Sequence, residues 1–262
     1  MRIGLAQIVS TPDPSENLDQ IAEQVRAASA RGARLVVFPE AAMCCFGVPL
    51  GPVAEQLDGP WASKVRQIAA DAGVTVVAGM FRPSDDGRVF NTLLATGGGV
   101  EASYDKIHLY DAFGFAESDT VAAGGEPVTI TVDGLTVGLT TCYDLRFPGL
   151  FQKLGDAGAV LIVAPASWGA GPGKRDQWDL LVRARALDTT AYVAACGQGD
   201  PTTVGRSAGK APTGIGASAL AGPRGDILHQ LGEAPGLLIA DIDPAEVESA
   251  RKVIPVLANR RF

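Results

Sequence analysis

Thr140-Thr141-Cys142-Tyr143-Asp144-Leu145-Arg146-Phe147-Pro148 joins two kinds of structure. Residues 135–141 read as a strand that runs straight into Cys142. A polar turn follows, and Pro148 suits the first turn of a helix. Such a junction lifts a side chain out of the sheet and onto the rim of a pocket, where a nucleophile has to stand. The competing reading is bland: free cysteine is among the most buried residue types and often behaves as a small hydrophobe. Taken alone, Cys142 favours the bland reading, so its surroundings must decide.

Upstream, Asp133-Gly134 separates two alternating runs, residues 128–132 and 135–141, a strong signal for a two-residue hairpin turn. Downstream, residues 148–157 form a short helix, 160–164 a strand, 176–189 a helix and 192–196 a strand. The N-terminal half has the same rhythm. A strand over residues 2–9 precedes Asp13-Pro14-Ser15-Glu16, a helix start with a cap and a first-turn proline. Leu18, Ile21, Val25 and Ala28 then recur at helical spacing until Gly32. Residues 35–38 are a short apolar strand that stops at Pro39-Glu40. A Gly- and Pro-rich loop over 46–60, a helix from Trp61 to a stop at Gly73 and a strand over 75–80 follow. Strands over 90–96 and 101–106 form a hairpin around Gly97-Gly98-Gly99. The Gly-rich stretch 197–216 has no periodicity and reads as a long loop. Strands over 216–220, 227–231 and 237–242 and a helix opening at Asp243-Pro244 complete the order. Strands alternating with helices imply an α/β fold, a buried mixed sheet with helices outside. The number of strands points to two sheets packed face to face.

The 262 residues are 47% hydrophobic and 19% charged, without a break in composition, so one domain over 1–262 is expected, with a tail of little periodicity from about 253. A net charge of −7 argues against nucleic-acid or anionic-membrane partners. Residues 1–7 read directly as a strand without a secretory pattern, and no apolar run reaches the ~18 residues of a spanning helix, so a cytoplasmic location is expected. The four cysteines, Cys44, Cys45, Cys142 and Cys196, are then free thiols. No CxxC pair occurs and only two histidines are present, so neither a metal nor another cofactor is expected.

Three polar residues stand where apolar strands stop: Glu40, Lys106 and Cys142. In open α/β sheets, sites gather outside the carboxyl ends of strands. Separately, each has an ordinary explanation, as a solvated charge, a surface lysine and a core thiol. Together, Phe38-Pro39-Glu40, Tyr104-Asp105-Lys106-Ile107-His108-Leu109 and Cys142-Tyr143-Asp144-Leu145-Arg146-Phe147-Pro148 resemble the nitrilase superfamily of carbon–nitrogen hydrolases, closest to its omega-amidase and deaminated-glutathione amidase branch. The resemblance extends through Phe115-Ala116-Glu117-Ser118 and the 177–186 segment to the 254–261 tail.

That resemblance implies a four-layer αββα sandwich of two mixed β-sheets flanked by helices, paired as a homodimer or a larger homo-oligomer, with the tail used in those contacts. It implies Cys142 as nucleophile, Glu40 as general base and Lys106 as the cation that stabilises the oxyanion. Glu117 matches a second glutamate near the lysine, either supporting catalysis or structural. The chemistry suits these types. A thiol with a pKa near ~8.5 is mostly protonated at neutral pH and needs a base. The charge that develops on the carbonyl oxygen needs a cation, and the backbone N–H of Tyr143 is the second donor expected there. The substrate is then a small amide, water is the second reactant, and ammonia or an amine is released through a thioester. An N-carbamoyl amino acid hydrolase or a nitrilase is the alternative on the same site, and a non-catalytic binding protein the alternative outside the class.

Arg146 is a candidate fork for a substrate carboxylate, or else an ion-pair partner of Asp144. Ser167, Trp168, Tyr110 and Phe113 are expected in the pocket lining; Trp168 replaces the family's more usual phenylalanine and narrows it. Asn91 and His108 read as structural hydrogen-bonding groups near the site, and Arg183 and Arg185 as structural or interface charges. Cys44-Cys45 departs from the family's loop. Gly205-Arg206-Ser207-Ala208-Gly209 fits a serine-hydrolase pattern, but no strand runs into Ser207.

Overall fold

The computed structural model describes residues 1–209 and 211–261. In order, it contains β1 (Arg2–Gln7), α1 (Pro14–Ala30), β2 (Leu35–Val37), α2 (Pro60–Ala72), β3 (Thr75–Pro83), β4 (Val89–Gly97) and β5 (Val100–Asp105). Three two-residue strands follow: β6 (Asp111–Ala112), β7 (Phe115–Ala116) and β8 (Val121–Ala122). Then come β9 (Val128–Val132), β10 (Leu135–Leu139), α3 (Pro148–Asp156), β11 (Leu161–Ala166), α4 (Lys174–Thr189) and β12 (Tyr192–Gly197). The chain closes with β13 (Ala219–Ala221), β14 (Ile227–Gln230), β15 (Gly236–Asp241), α5 (Pro244–Val253) and α6 (Val256–Asn259).

The local signals act as the sequence suggests. Asp13 accepts from Ser15 N at 2.8 Å and caps α1, with Pro14 in its first turn. Gly73 ends α2 in the left-handed region at φ 65°. Two large sheets result among the described residues, one ordered β15-β1-β2-β3-β4-β5 with β8 beside β4, the other β14-β13-β12-β11-β10-β9, and β6 pairs with β7 as a separate ribbon. Both are mixed: β1, β2 and β3 run parallel, as do β10, β11 and β12, and the outer neighbours are antiparallel.

Period-two alternation builds the layers. Leu35 and Val37 of β2, and Leu161 and Val163 of β11, enter one apolar core between the sheets. Val36 faces the opposite way, into a core with Ile21 and Val25 of α1 and Val65 of α2. Ile162 and Ala164 pack with Leu150 and Leu154 of α3 and Val182 of α4. The fold is therefore the expected αββα sandwich of two mixed sheets.

Several boundaries differ from the sequence reading. β10 ends at Leu139, not at residue 141, and a five-residue 3₁₀ turn over Cys142–Arg146 stands between it and α3. β13 begins at Ala219, three residues after the expected start, because Gly216 turns there at φ 67°. The tail carries a short helix, α6. No helix among the described residues is long and apolar enough to cross a membrane.

Candidate active site

Glu40, Lys106 and Cys142 meet in one buried pocket, each just past the end of β2, β5 or β10. Glu40 and Lys106 are 1% and 2% exposed, which forces their charges to find partners inside. Lys106 Nζ lies 2.9 Å from Glu40 Oε1 and 2.9 Å from Glu117 Oε2. Asn91 Nδ2 donates to Glu40 Oε1 at 2.7 Å and to Glu117 Oε1 at 3.3 Å. The remaining oxygen of Glu40 accepts from Ser167 N at 2.7 Å, and Glu117 Oε2 accepts from Tyr110 N at 2.6 Å. One ammonium is thus clamped between two carboxylates whose planes are fixed by an amide and by backbone donors. Burial pushes the Lys106 ammonium towards its neutral form, but Glu40 and Glu117 outweigh it and hold the group well above the ordinary lysine range.

Cys142 opens the 3₁₀ turn with φ 49°, in the left-handed region that residues with a Cβ rarely occupy. Such strain is of order ~1–3 kcal/mol and persists only where the surroundings over-determine it. Asp144 does so. Its carboxylate is fully buried and accepts from Thr141 N at 2.8 Å, Tyr104 Oη at 2.6 Å and His108 N at 3.1 Å, with His108 Nδ1 at 2.7 Å. Taking the Thr141 N–H from the ladder ends β10 early and bends the chain at the cysteine. The Cys142 thiol, 3.9 Å from Ser167 O, is raised well above the ordinary thiol range by burial and then by the charge of Glu40, with Lys106 pulling the other way. It rests protonated beside a carboxylate.

The pocket encloses a cavity of about 640 Å³. Phe46, Val48, Leu50, Val89 and Val121 form an apolar wall, and Tyr110, Tyr143, Arg146, Trp168 and Lys174 a polar, aromatic one. Arg146 does not pair with Asp144. Its Nη2 donates to Gln177 Oε1 at 2.7 Å, and its guanidinium stands 5.2 Å from the Trp168 ring. Ser167 borders the cavity, but its hydroxyl donates to Pro212 O at 2.6 Å. Trp168 is fixed by Nε1 donating to Lys174 O at 3.0 Å. Phe113 is the exception to the expected lining. It lies at the tip of the β6–β7 turn with φ 56°, which lifts the ring to the surface, 69% exposed, where it covers Lys174 at 3.4 Å from outside.

The other singled-out residues lie in ordinary surroundings. His108 stacks on Phe147 at 3.8 Å. Arg183 donates to Gly225 O, and Arg185 pairs with Asp188. Cys44 packs with Phe81 and Val89, its thiol pushed up to about 11, chiefly by burial. Cys196 sits in the inter-sheet core. Ser207 is exposed in a loop, with no strand leading into it. Sequence reasoning did not place Lys174 in the site; it opens α4 two residues after Pro172, with no periodic signal to mark it.

A buried thiol, carboxylate and ammonium in one cavity are the parts needed to attack a carbonyl and stabilise the resulting oxyanion. A family model described as carbon-nitrogen hydrolase matches residues 2–252. A protein described as a hydrolase from Mycobacterium tuberculosis is 57% identical over 268 residues, covering 99% of this chain and 95% of that one. A deaminated glutathione amidase from Escherichia coli O157:H7 is 35% identical over 267 residues, covering 100% and 98%. An amidase of the nitrilase superfamily from Nesterenkonia superposes with a TM-score of 0.83 at 29% identity, covering 100% of this chain and 94% of that one. That amidase has also been solved with the acetamide moiety of fluoroacetamide covalently added at its active-site cysteine.

Proposed function

The chain belongs to the carbon–nitrogen hydrolase family, enzymes that act on amides, and we propose from this premise that it is a cysteine amidohydrolase working through a thioester on Cys142. The observation that carries the reading is the strained, buried Cys142 beside the Glu40–Lys106–Glu117 cluster. In the first half, Glu40 takes the thiol proton as Sγ bonds to the amide carbon. The carbonyl oxygen becomes an oxyanion beside the Lys106 ammonium, with the Tyr143 N–H as second donor. The proton on Glu40 then passes to the amide nitrogen, the C–N bond breaks, and ammonia or an amine leaves. In the second half, Glu40 takes a proton from water. The hydroxide attacks the thioester, the C–S bond breaks, and Glu40 returns its proton to Sγ, restoring the thiol as the acid departs.

Glu117 keeps Lys106 charged and in place, adding to Glu40 a second carboxylate that offsets the burial of the ammonium. Arg146 gives the acyl part a carboxylate partner, so the substrate is a small amide of a carboxylate-bearing acid. We read residues 1–262 as one hydrolase domain. The tail contacts a second copy: Val253 and Ile254 are apolar side chains exposed to solvent at its start. A cytoplasmic location fits four free cysteines.

The test is ammonia or amine release across small amides, carbamoyl compounds and nitriles, with intact-mass detection of an acyl group on the protein. Cys142→Ala is expected to fold and to show neither turnover nor adduct. Full turnover by that variant would sink the reading.

A further inference from the structure

Among the described residues, four cations border the cavity, and two of them are paired: Lys106 with Glu40 and Glu117, and Arg88 with Asp86. Arg146 and Lys174 have no acidic partner within 4.0 Å among the described residues. Asp144, the nearest acid in sequence to Arg146, is taken up by the Tyr104, His108 and Thr141 donors. Arg146 spends Nη2 on a neutral amide oxygen, and its buried Nε has no hydrogen-bond partner among the described residues. Among the described residues, Lys174 Nζ meets the Tyr110 hydroxyl at 3.4 Å and two aromatic rings, with the Phe113 centroid 3.4 Å away and that of Tyr110 5.6 Å away. The two cations share the Phe113 ring, with the Arg146 guanidinium 5.9 Å from the same centroid.

We propose that Lys174 is a specificity-determining residue, and that with Arg146 it takes an amide substrate carrying two carboxylates. The proposal rests on the amidohydrolase reading given above and names its substrate class. Two unneutralised like charges in a partly desolvated wall repel each other, and a bound anion relieves that cost. Burial and the charge of Arg146 both press the Lys174 ammonium below its ordinary range, as expected for a site that lacks its counter-ion. A single carboxylate balances only one of the two. Asp119 also borders the cavity, so the positive field is local to Arg146 and Lys174; there it favours an anionic ligand in a chain that carries −7. A cavity of about 640 Å³ leaves room for the second group.

Steady-state kinetics on two primary amides test this. Succinamate carries one carboxylate, and the monoamide of propane-1,2,3-tricarboxylic acid carries two. The wild-type enzyme is expected to prefer the second. Lys174→Met should raise KM for the two-carboxylate amide by about ten- to a hundred-fold, the scale of one charge-assisted hydrogen bond. The rise in KM for succinamate should be smaller by about five-fold or more, because its one carboxylate can stay with Arg146. Lys174→Arg should recover most of the loss. An unchanged thermal midpoint in Lys174→Met is expected, because only the Lys174 backbone carbonyl holds Trp168. Equal losses on both amides would overturn the proposal by showing one shared carboxylate. No loss on either would overturn it by leaving Lys174 without a substrate role. A wild type that turns over neither these amides nor any other would defeat the amidohydrolase reading itself.

Discussion

Lys106 Nζ sits 2.9 Å from Glu40 Oε1, in a pocket where neither side chain is more than 2% exposed. An ion pair so buried is costly to desolvate, and removing one partner leaves an uncompensated charge. Here the second carboxylate, Glu117, keeps the ammonium ionised if Glu40 is neutralised. The charge on Glu40 is therefore open to a different use, on the thiol next to it.

Glu40→Gln separates thiol acidity from turnover. Burial and then the Glu40 charge hold the Cys142 thiol above its ordinary range, and Lys106 lowers it. Removing the Glu40 charge leaves burial and the more weakly felt Glu117 to raise the thiol, and Lys106 to lower it. The Cys142 thiolate titration, followed by absorbance near 240 nm against Cys142→Ala as a blank, should move to lower pH. Turnover should fall by at least the ~10²–10⁴-fold typical of a lost general base. An enzyme with a more acidic nucleophile and less activity is the expected outcome. A midpoint that rises or stays fixed would contradict the electrostatic account of the pocket.

Gly79→Ala should disable the site from behind. A Cβ at Gly79 would lie 2.6 Å from Ala41 N, 2.9 Å from Glu40 Cα and 2.9 Å from Pro39 O, all backbone atoms. None can swing away as a side chain would. The strand-end turn that carries Glu40 has to shift, at a cost of about 1–3 kcal/mol for overpacking. Urea unfolding should report that loss, and kcat should fall with it. Wild-type kcat in a folded Gly79→Ala would mean that Glu40 tolerates displacement.

The layers were readable because β2 and β11 send alternate residues to the sheet–sheet core and to the helices, a pattern visible in the order of side chains. The three strand-end residues were readable for a related reason, since an apolar run that stops at a charge marks the end of a strand. Their convergence was not readable from spacing; it came only with the family resemblance, because Glu40 and Lys106 stand 66 positions apart with α2, β3, β4 and β5 between them. The early end of β10 was hidden because Asp144, three residues downstream, takes the Thr141 N–H, a side-chain competition invisible to alternation. Lys174 was hidden because its meaning lies in the absence of an acid nearby, which only the packed structure defines.

Asp144→Asn should separate the support of the nucleophile from the nucleophile itself. The carboxylate accepts from two backbone N–H groups and a tyrosine hydroxyl, with a histidine nitrogen beside it, all near one buried residue. An amide offers one acceptor oxygen and sets its N–H₂ against a donor, so at least one N–H or O–H loses its partner. A buried donor stranded in this way costs about 1–3 kcal/mol, more where the lost acceptor was charged. The left-handed conformation of Cys142 depends on the turn that Asp144 closes, so its strain is then free to relax. Urea midpoints should therefore drop for Asp144→Asn, and kcat should fall by ten-fold or more. Tyr104→Phe is the control: it removes one donor and leaves the turn closed, for about 1 kcal/mol and little change in kcat. If both variants lost stability equally and neither lost activity, Asp144 would be an ordinary core acceptor and the turn at Cys142 would have to be held by something else.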